Sequence, residues 1–338
     1  MVEAPLGGGS SGSLHRALDP RCGRRVALRC GTSGSDTSGS GTSGSGSAGS
    51  DADRGGWIGL PGPADLAGEA AALTASAHPH VVAVHGSEGC EEPGGRPWLA
   101  MALVDGPDLR TVLGGRPLPV ARAVLLLGQL AGAVDAVHAA GFVHLDLKPA
   151  NVLVATAPGG TDHVVLVDFG LARRYGPTGP ADLTGDFVGS PSYAAPEHLR
   201  GDPVGPRADV YAFTCLAVAC LTGTPPHGGG VAAVLAAHLA GVVPPTGLGP
   251  GVDAVVRRGM AADPEARFAS AGDTARALGA VLSPSSAPPV RLRAPVPPAS
   301  VDWARRGRTD GGPRARVVLV VLLAVLAVGV VVAVLATL

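Results

Sequence analysis

Residues 142–153 read FVHLDLKPANVL, and Lys148 among them is the only lysine in a chain of 338 residues. Asp146, Lys148 and Asn151 fall within six positions, so a carboxylate, an ammonium and an amide are crowded into one short loop. The neighbouring sequence provides the scaffold such a loop needs. Residues 118–140 (LPVARAVLLLGQLAGAVDAVHAA) form a long apolar helix closed by Gly141. VLVAT (152–156) and HVVLVDFG (163–170) then read as a short hairpin. The chain is rich in Ala, Val and Arg, with Gly 51 and Pro 31, which points to GC-rich codon usage. Under that bias a single Gly or Ala carries little meaning, whereas one retained lysine carries a good deal.

Two low-complexity runs divide the chain. GTSGSDTSGSGTSGSGSAGSD (31–51) is a flexible Gly/Ser insert, within a stretch at 31–64 that cannot bury a core. It separates a strand-like segment, RRVALRC (24–30), from a helix-like one, DLAGEAAALTASA (65–77). VVAVHG (81–86) and PWLAMALVDG (97–106) read as strands, and ADVYAFTCLAVACLT (208–222) as a nearly all-apolar helix in the middle of a lobe. Strands first and helices later suggest two lobes of different character. Residues 283–316, rich in Pro, Ser and Arg, read as an extended, disordered juxtamembrane linker.

Three segments in order, HLDLKPAN (144–151), DFG (168–170) and GSPSYAAPE (189–197), resemble the protein kinase catalytic core, and the chain is similar to the bacterial transmembrane Ser/Thr protein kinases common in actinobacteria. The resemblance covers about residues 6–280. It implies an α+β, bilobal protein kinase-like fold: a small β-rich N-terminal lobe and a larger helical C-terminal lobe over residues 1–282. It also implies ATP and Mg²⁺ as cofactors and protein substrates with Ser or Thr acceptors. Asp146 is then the base that accepts the substrate hydroxyl proton. Lys148 offsets charge at the γ-phosphate. Asn151 and Asp168 supply oxygen ligands for Mg²⁺. Ser190 faces Asp146 and Lys148. Glu197 and Arg267 form a structural ion pair, and Asp209 anchors the catalytic loop from below.

For the N-terminal lobe the resemblance places Leu6, Gly7, Gly9 and Gly12 in the glycine-rich loop, where backbone N–H groups approach phosphates. Leu14 and Ala27 form the roof over adenine and Leu153 the floor. Met101 is the gatekeeper and Leu103 lies in the hinge. Glu69 is the helix glutamate, and Leu73, four residues on, shares its inward face. The Walker pattern G-x-x-x-x-G-K-[ST] is absent, which excludes a P-loop NTPase.

Three departures bear on activity. Arg29 stands where the family has the VAIK lysine, and its planar fork is a poor substitute for a compact ammonium, so reduced ATP positioning is expected. Leu145 replaces the arginine that would hold a phosphorylated activation loop, so phosphorylation of Thr178 or Thr184 should matter less for switching. With only five residues before Leu6, the first strand is expected to be nearly absent, unless the true start lies upstream. The reading is an active kinase, with a pseudokinase scaffold as the alternative because of Arg29. A small-molecule phosphotransferase is disfavoured, because the resemblance makes GSPSYAAPE a peptide-docking element that related small-molecule kinases lack.

The last 22 residues, VVLVVLLAVLAVGVVVAVLATL (317–338), carry no charge. As a helix they would reach ~33 Å, enough to cross the hydrocarbon core. Arg305, Arg306, Arg308, Arg314 and Arg316 precede them, which by the positive-inside rule puts the kinase domain in the cytoplasm of a single-pass membrane protein. No extracellular domain is expected. Gly329 and Ala333 make a small-xxx-small pair, which leaves a homodimer open. The net charge of −1 offers no basic field for nucleic acid, so no nucleic-acid partner is expected. Five cysteines without a C-x-x-C pair suggest reduced thiols, and no zinc site is expected.

Overall fold

Antiparallel pairing organises the N-terminal third. In the computed structural model, strands β1 (Val2–Gly9), β2 (Gly12–Asp19), β3 (Arg24–Cys30), β4 (Val84–Glu88) and β5 (Trp98–Ala102) form one sheet in the order β1-β2-β3-β5-β4. The structure describes residues 1–9, 12–20, 22–31, 66–88, 97–157, 159–175 and 189–283. The 31–64 insert beyond Gly31, Thr178, Thr184, the 283–316 linker beyond Ser283 and the apolar 317–338 segment lie outside them.

The expectation of a nearly absent first strand is corrected: β1 is an eight-residue strand paired with β2 from Val2↔Ala17 to Gly9↔Gly12. Its glycines and Pro5 hide any alternation in the sequence, and the strand exists through its ladder to β2. Pro5 is tolerated because β1 is an edge strand with a bulge between Pro5 and Gly7. The Met1 ammonium donates to Leu18 O at 2.8 Å, closing the far end. Strand β4 begins at Val84 rather than Val81, because the preceding residues pair elsewhere: Val81 bridges Leu166, and Val82 N–H donates to Leu166 O.

The sheet's period of two separates its faces. Val26 and Leu28 of β3 join Ala17, Ala100 and Trp98 in a small cluster on one face. Ala27 and Arg29 point the other way, opposite Met101 and Leu99, with Leu14 opposite Arg29. On that second face Ala27, Leu99 and Met101 join the main core, as does Leu73 of helix α1 (Leu66–Ala75).

Helices dominate the rest. α2 (Leu109–Leu113) is capped by Asp108, whose side chain accepts from Thr111 N. α3 (Val120–Ala139) stops at Gly141, which takes φ 81° as a left-handed stop requires. Among the described residues α3 alone is long and apolar enough to cross a bilayer, but its Leu126, Leu130, Val134 and Val137 are buried in the core. After α3 come β6 (Phe142–Val143), β7 (Val152–Thr156), β8 (Asp162–Leu166) and β9 (Arg173–Arg174). β7 and β8 form an antiparallel pair, the hairpin expected from the sequence, and β6 pairs β9.

The last helices are α4 (Pro196–Arg200), α5 (Pro206–Thr222), α6 (Val231–Leu239), α7 (Pro250–Gly259) and α8 (Ala271–Leu282). α5 is buried almost all round, with Tyr211, Phe213 and Leu216 at 1% exposure or less, and α3, α7 and α8 pack against it. Each such large apolar side chain contributes roughly 1.5–3 kcal/mol by leaving water. The result is a β-rich N-terminal part and a helical C-terminal part, with α5 as the axis of the latter.

Candidate active site

The loop His144–Asn151 leaves β6 and re-enters β7 through a 3-10 turn at Pro149–Asn151. Its conformation is imposed from α5. Asp209, completely buried, accepts the His144 N–H at 2.7 Å and the Leu145 N–H at 2.9 Å, and binds His138 Nε2 at 2.8 Å. Burial alone would raise the Asp209 pKa, but the His138 hydrogen bond and the charge of that ring outweigh it and hold the carboxyl below its usual range. Leu145 is thereby held at φ 66°, in the left-handed region.

One residue on, Asp146 points into a set of cations and amides. Its Oδ2 accepts from Lys148 Nζ at 2.7 Å and from Asn151 Nδ2 at 2.9 Å. Its Oδ1 is buried and has no hydrogen-bond partner among the described residues. Burial raises the Asp146 pKa, and the neighbouring Lys148 ammonium only partly opposes the rise. Lys148 also donates to Ser190 Oγ at 3.0 Å, which ties the 189–195 segment to the loop. A small, partly open pocket adjoins the loop, lined by Leu145, Asp146, Ser190, Tyr193 and His198 among others.

The β7–β8 hairpin fixes the next pair. Val152 pairs with Leu166, and Val167 N–H donates to Asn151 O at 3.0 Å, so Asn151 and Asp168 emerge at the same end. Asp168 has φ 63°. Asn151 uses its Nδ2 as a donor to Asp146 O as well, which leaves its amide oxygen as the acceptor. One amide oxygen and one carboxylate oxygen on adjoining strand ends are hard donors of the kind Mg²⁺ prefers, so these residues fit the ion.

From above, Arg29 on β3 reaches this end. Its Nη1 donates to Glu69 Oε2 and to Asp168 Oδ1, both at 3.0 Å. Arg29 and Glu69 were anticipated here by the resemblance, as strand residue and helix glutamate. The Asp168 contact, across 139 positions, was not. Burial pushes the Glu69 carboxyl up to about 6, against the pull of the Arg29 charge. Burial likewise works to raise Asp168, but Arg29 and then Lys148 outweigh it and leave that carboxyl lowered.

The residues expected around adenine are distributed as follows. Ala27 and Met101 are buried opposite each other on β3 and β5, and Leu14 and Leu103 are partly buried against the same core. Leu153 is half-buried on β7, where it bridges Asp108. Gly106, just past Leu103, has no room for a side chain, because a Cβ would collide with the Val154 carbonyl. Gly7 lies opposite Leu14 and Gly9 opposite Gly12, so all three expected glycines sit in the β1–β2 hairpin. Leu6 is 42% exposed and packs into neither core cluster.

Below the site Arg267, 1% exposed, forms a bidentate pair with Glu197, with Nη2–Oε2 at 2.7 Å. Its guanidinium stacks on Tyr211, and Tyr211 OH bonds His238 Nδ1 at 2.7 Å. His138 and His238 had no signal in the sequence, because a histidine's partner 27 or 71 positions away leaves no local pattern.

A protein kinase domain family model matches residues 50–238. The chain is 41% identical over 238 residues to serine/threonine-protein kinase PknJ of Mycobacterium tuberculosis, covering 65% of this chain and 40% of PknJ. Against PknH of the same organism it is 44% identical over 214 residues, covering 61% of this chain and 33% of PknH. The alignments therefore span less than half the length of these relatives. Among solved structures, a double mutant of the M. tuberculosis PknI kinase domain superposes with a TM-score of 0.55 at 25% identity, covering 83% of this chain and 95% of that one.

Proposed function

The chain belongs to the protein kinase domain family, and from that premise we propose that it is a membrane-anchored serine/threonine protein kinase that transfers the γ-phosphoryl group of ATP to Ser or Thr hydroxyls of proteins. The observation that carries the reading is the state of Asp146. One carboxylate oxygen is held by Lys148 and Asn151, while Oδ1 is buried and unpartnered. Leaving a buried acceptor unpaired costs about 1–3 kcal/mol, a cost that an incoming hydroxyl donor would remove. Asp146 orients that hydroxyl and takes its proton. Lys148, fixed between Asp146 and Ser190, presents a cation to the transferring group.

Asn151 and Asp168 are the residues that would hold Mg²⁺, which when bound neutralises charge on the nucleotide phosphates. The β1–β2 hairpin glycines would offer backbone N–H groups to the phosphates, and Ala27, Met101 and Leu153 would supply apolar surface for a base. The uncharged 317–338 segment with its preceding arginines supports a single membrane span with the kinase domain on the cytoplasmic side.

The test is transfer from radiolabelled ATP by the full chain to itself and to a Ser/Thr protein substrate. Wild type is expected to transfer label, and Asp146→Asn to lose about 10²–10⁴-fold. Label transfer undiminished in Asp146→Asn overturns the assignment. A second reading, a scaffold without turnover, is favoured by one observation: Arg29 stands in place of a lysine and is engaged by two carboxylates. Transfer absent in wild type but present in Arg29→Lys would select it.

A further inference from the structure

The 189–197 segment is anchored firmly near its two ends and loosely between them. Ser190 is tied to Lys148 at 3.0 Å, and Glu197 to Arg267, with Nη2–Oε2 at 2.7 Å. Between them the 3-10 turn Pro191–Tyr193 closes on long bonds. Tyr193 N–H reaches Ser190 O at 3.2 Å and Ala194 N–H reaches Pro191 O at 3.3 Å. Such a turn takes its position from what packs beneath it, and that is α5 and α6. We propose that His238 of α6 is a positioning residue, which holds this turn from beneath through the Nε2 end of its ring and so sets where an acceptor peptide lies relative to Asp146. The role in transfer rests on the kinase reading above; the contact with the turn does not.

The ring of His238 is completely buried and held in one orientation. Tyr211 OH of α5 lies 2.7 Å from Nδ1, and the ring of His227, from the loop before α6, meets it edge to face with centroids 4.5 Å apart. Burial raises the pKa of the Tyr211 hydroxyl and pushes that of His238 down to about 4, so near pH 7 a protonated hydroxyl meets a neutral imidazole. The O–H then donates, Nδ1 accepts, and the ring proton sits on Nε2. That Nε2 is buried and has no hydrogen-bond partner among the described residues. The Ser192 backbone acts on the same ring and favours its charged form, as a carbonyl facing a ring N–H does. Buried donors in folded proteins are paired, so the Ser192 carbonyl is the group that Nε2–H takes when the turn settles under a peptide.

The two ends of the ring therefore do different work. Nδ1 is spent on Tyr211, whose ring lies under the Arg267 guanidinium at 4.9 Å, so this end joins His238 to the anchorage of Glu197. Nε2 is the end left for the turn. The consequence for transfer is selective. An acceptor hydroxyl must be held within reach of Asp146, and a displacement of 1 Å in such a geometry costs up to roughly a hundredfold. The residues assigned to ATP and Mg²⁺ lie on the five-stranded sheet and around the β7–β8 hairpin, on elements other than α6, so nucleotide binding is spared. A small change at position 238 can also separate the two ends. An asparagine reproduces the near nitrogen and lacks the far one, whereas a glutamine reaches the far position and lacks the near one.

The experiment is steady-state transfer from radiolabelled ATP to dephosphorylated casein by the full chain in mild detergent, with amide hydrogen exchange on the same samples. His238→Asn is expected to raise the KM for casein about tenfold while the KM for ATP stays within about twofold. Exchange of peptides covering 190–195 should quicken roughly fivefold or more, while peptides from α3 keep their protection. His238→Gln, which returns an amide N–H to the far position, should bring both readouts back toward wild type. If α3 also loses protection in His238→Asn, Tyr211→Phe, which removes the hydroxyl that orients the ring, carries the test with the same rise in casein KM and the same faster exchange. In a folded variant, an unchanged casein KM, an equal rise in both KM values, or a His238→Gln no better than His238→Asn overturns the proposal. A wild-type chain that transfers no label refutes the kinase reading. Exchange of 190–195 then decides the contact by itself: faster in His238→Asn and restored in His238→Gln upholds it, and unchanged exchange overturns it.

Discussion

Leu145 and Asp168 are the non-glycine residues with positive φ among the described ones, at 66° and 63°, and both belong to the proposed active site. A left-handed conformation costs a non-glycine residue roughly 1–2 kcal/mol, so something must enforce it. For Leu145 the enforcer is Asp209, whose two carboxylate oxygens collect two successive backbone N–H groups and the His138 ring. An aspartate with a lowered pKa in a fully buried position is therefore the support of a strained loop. Asp209→Asn keeps the shape but turns one acceptor into a donor facing N–H groups. The expected loss is about 2–4 kcal/mol of stability, read from denaturant midpoints, because a buried donor is left unmatched. Phosphoryl transfer should fall with it, since Asp146 follows Leu145 directly. Full stability and full activity in Asp209→Asn would show that the loop holds its conformation unaided.

At the scale of elements, α5 and α7 illustrate how close packing is written into small residues. At Gly259 a Cβ would collide with the Thr214 side chain, so the two helices meet with no space between them. Gly259→Ala is expected to cost about 1–3 kcal/mol in a denaturation experiment, and Thr214→Ala in the same chain to recover part of it. Additive losses in the double variant would mean the helices do not meet there. The sequence showed α3, α5, β3, β7 and β8, because each has a run or alternation of apolar residues that survives the compositional bias. β1 was hidden by that same bias: VEAPLGGG has no alternation, and its strand conformation comes from the partner strand. The loop residues Asp146, Lys148 and Asn151 were legible as one motif and meet in space. Asp209 beneath the loop and Ser190 beside Lys148 were anticipated through the resemblance, but the contacts of Arg29 with Asp168, His138 with Asp209 and Tyr211 with His238 were not, because they join residues far apart in the chain.

For the whole molecule, the helical part carries an acid sensitivity set by two buried histidines. His198 on α4 and His238 on α6 are 6% and 0% exposed, and burial pushes each pKa down from 6.5 to about 4. In the unfolded chain both titrate near 6.5, so between that pH and about 4 the unfolded state binds protons that the folded state refuses. Stability from this source is therefore intact above pH 6.5 and declines as pH falls toward 4. At pH 5 the loss amounts to about 2 kcal/mol for each histidine. Asp209 and Asp168, whose carboxyls are lowered, add their own losses only below the ordinary carboxylate range. Urea unfolding followed from pH 7 to pH 5 should thus show a decline of about 2 kcal/mol from each histidine, offset in part by Glu69, whose carboxyl, raised to about 6, takes up a proton in the folded state over the same range. Because His238 bonds Tyr211, which lies under Arg267 and so against the Glu197 pair, protonation at α6 strikes the support of the 189–197 segment. His238→Asn should flatten the slope by about half, at the cost of a lower stability at pH 7 from the lost ring packing. A slope unchanged in His238→Asn would assign the acid sensitivity to other groups.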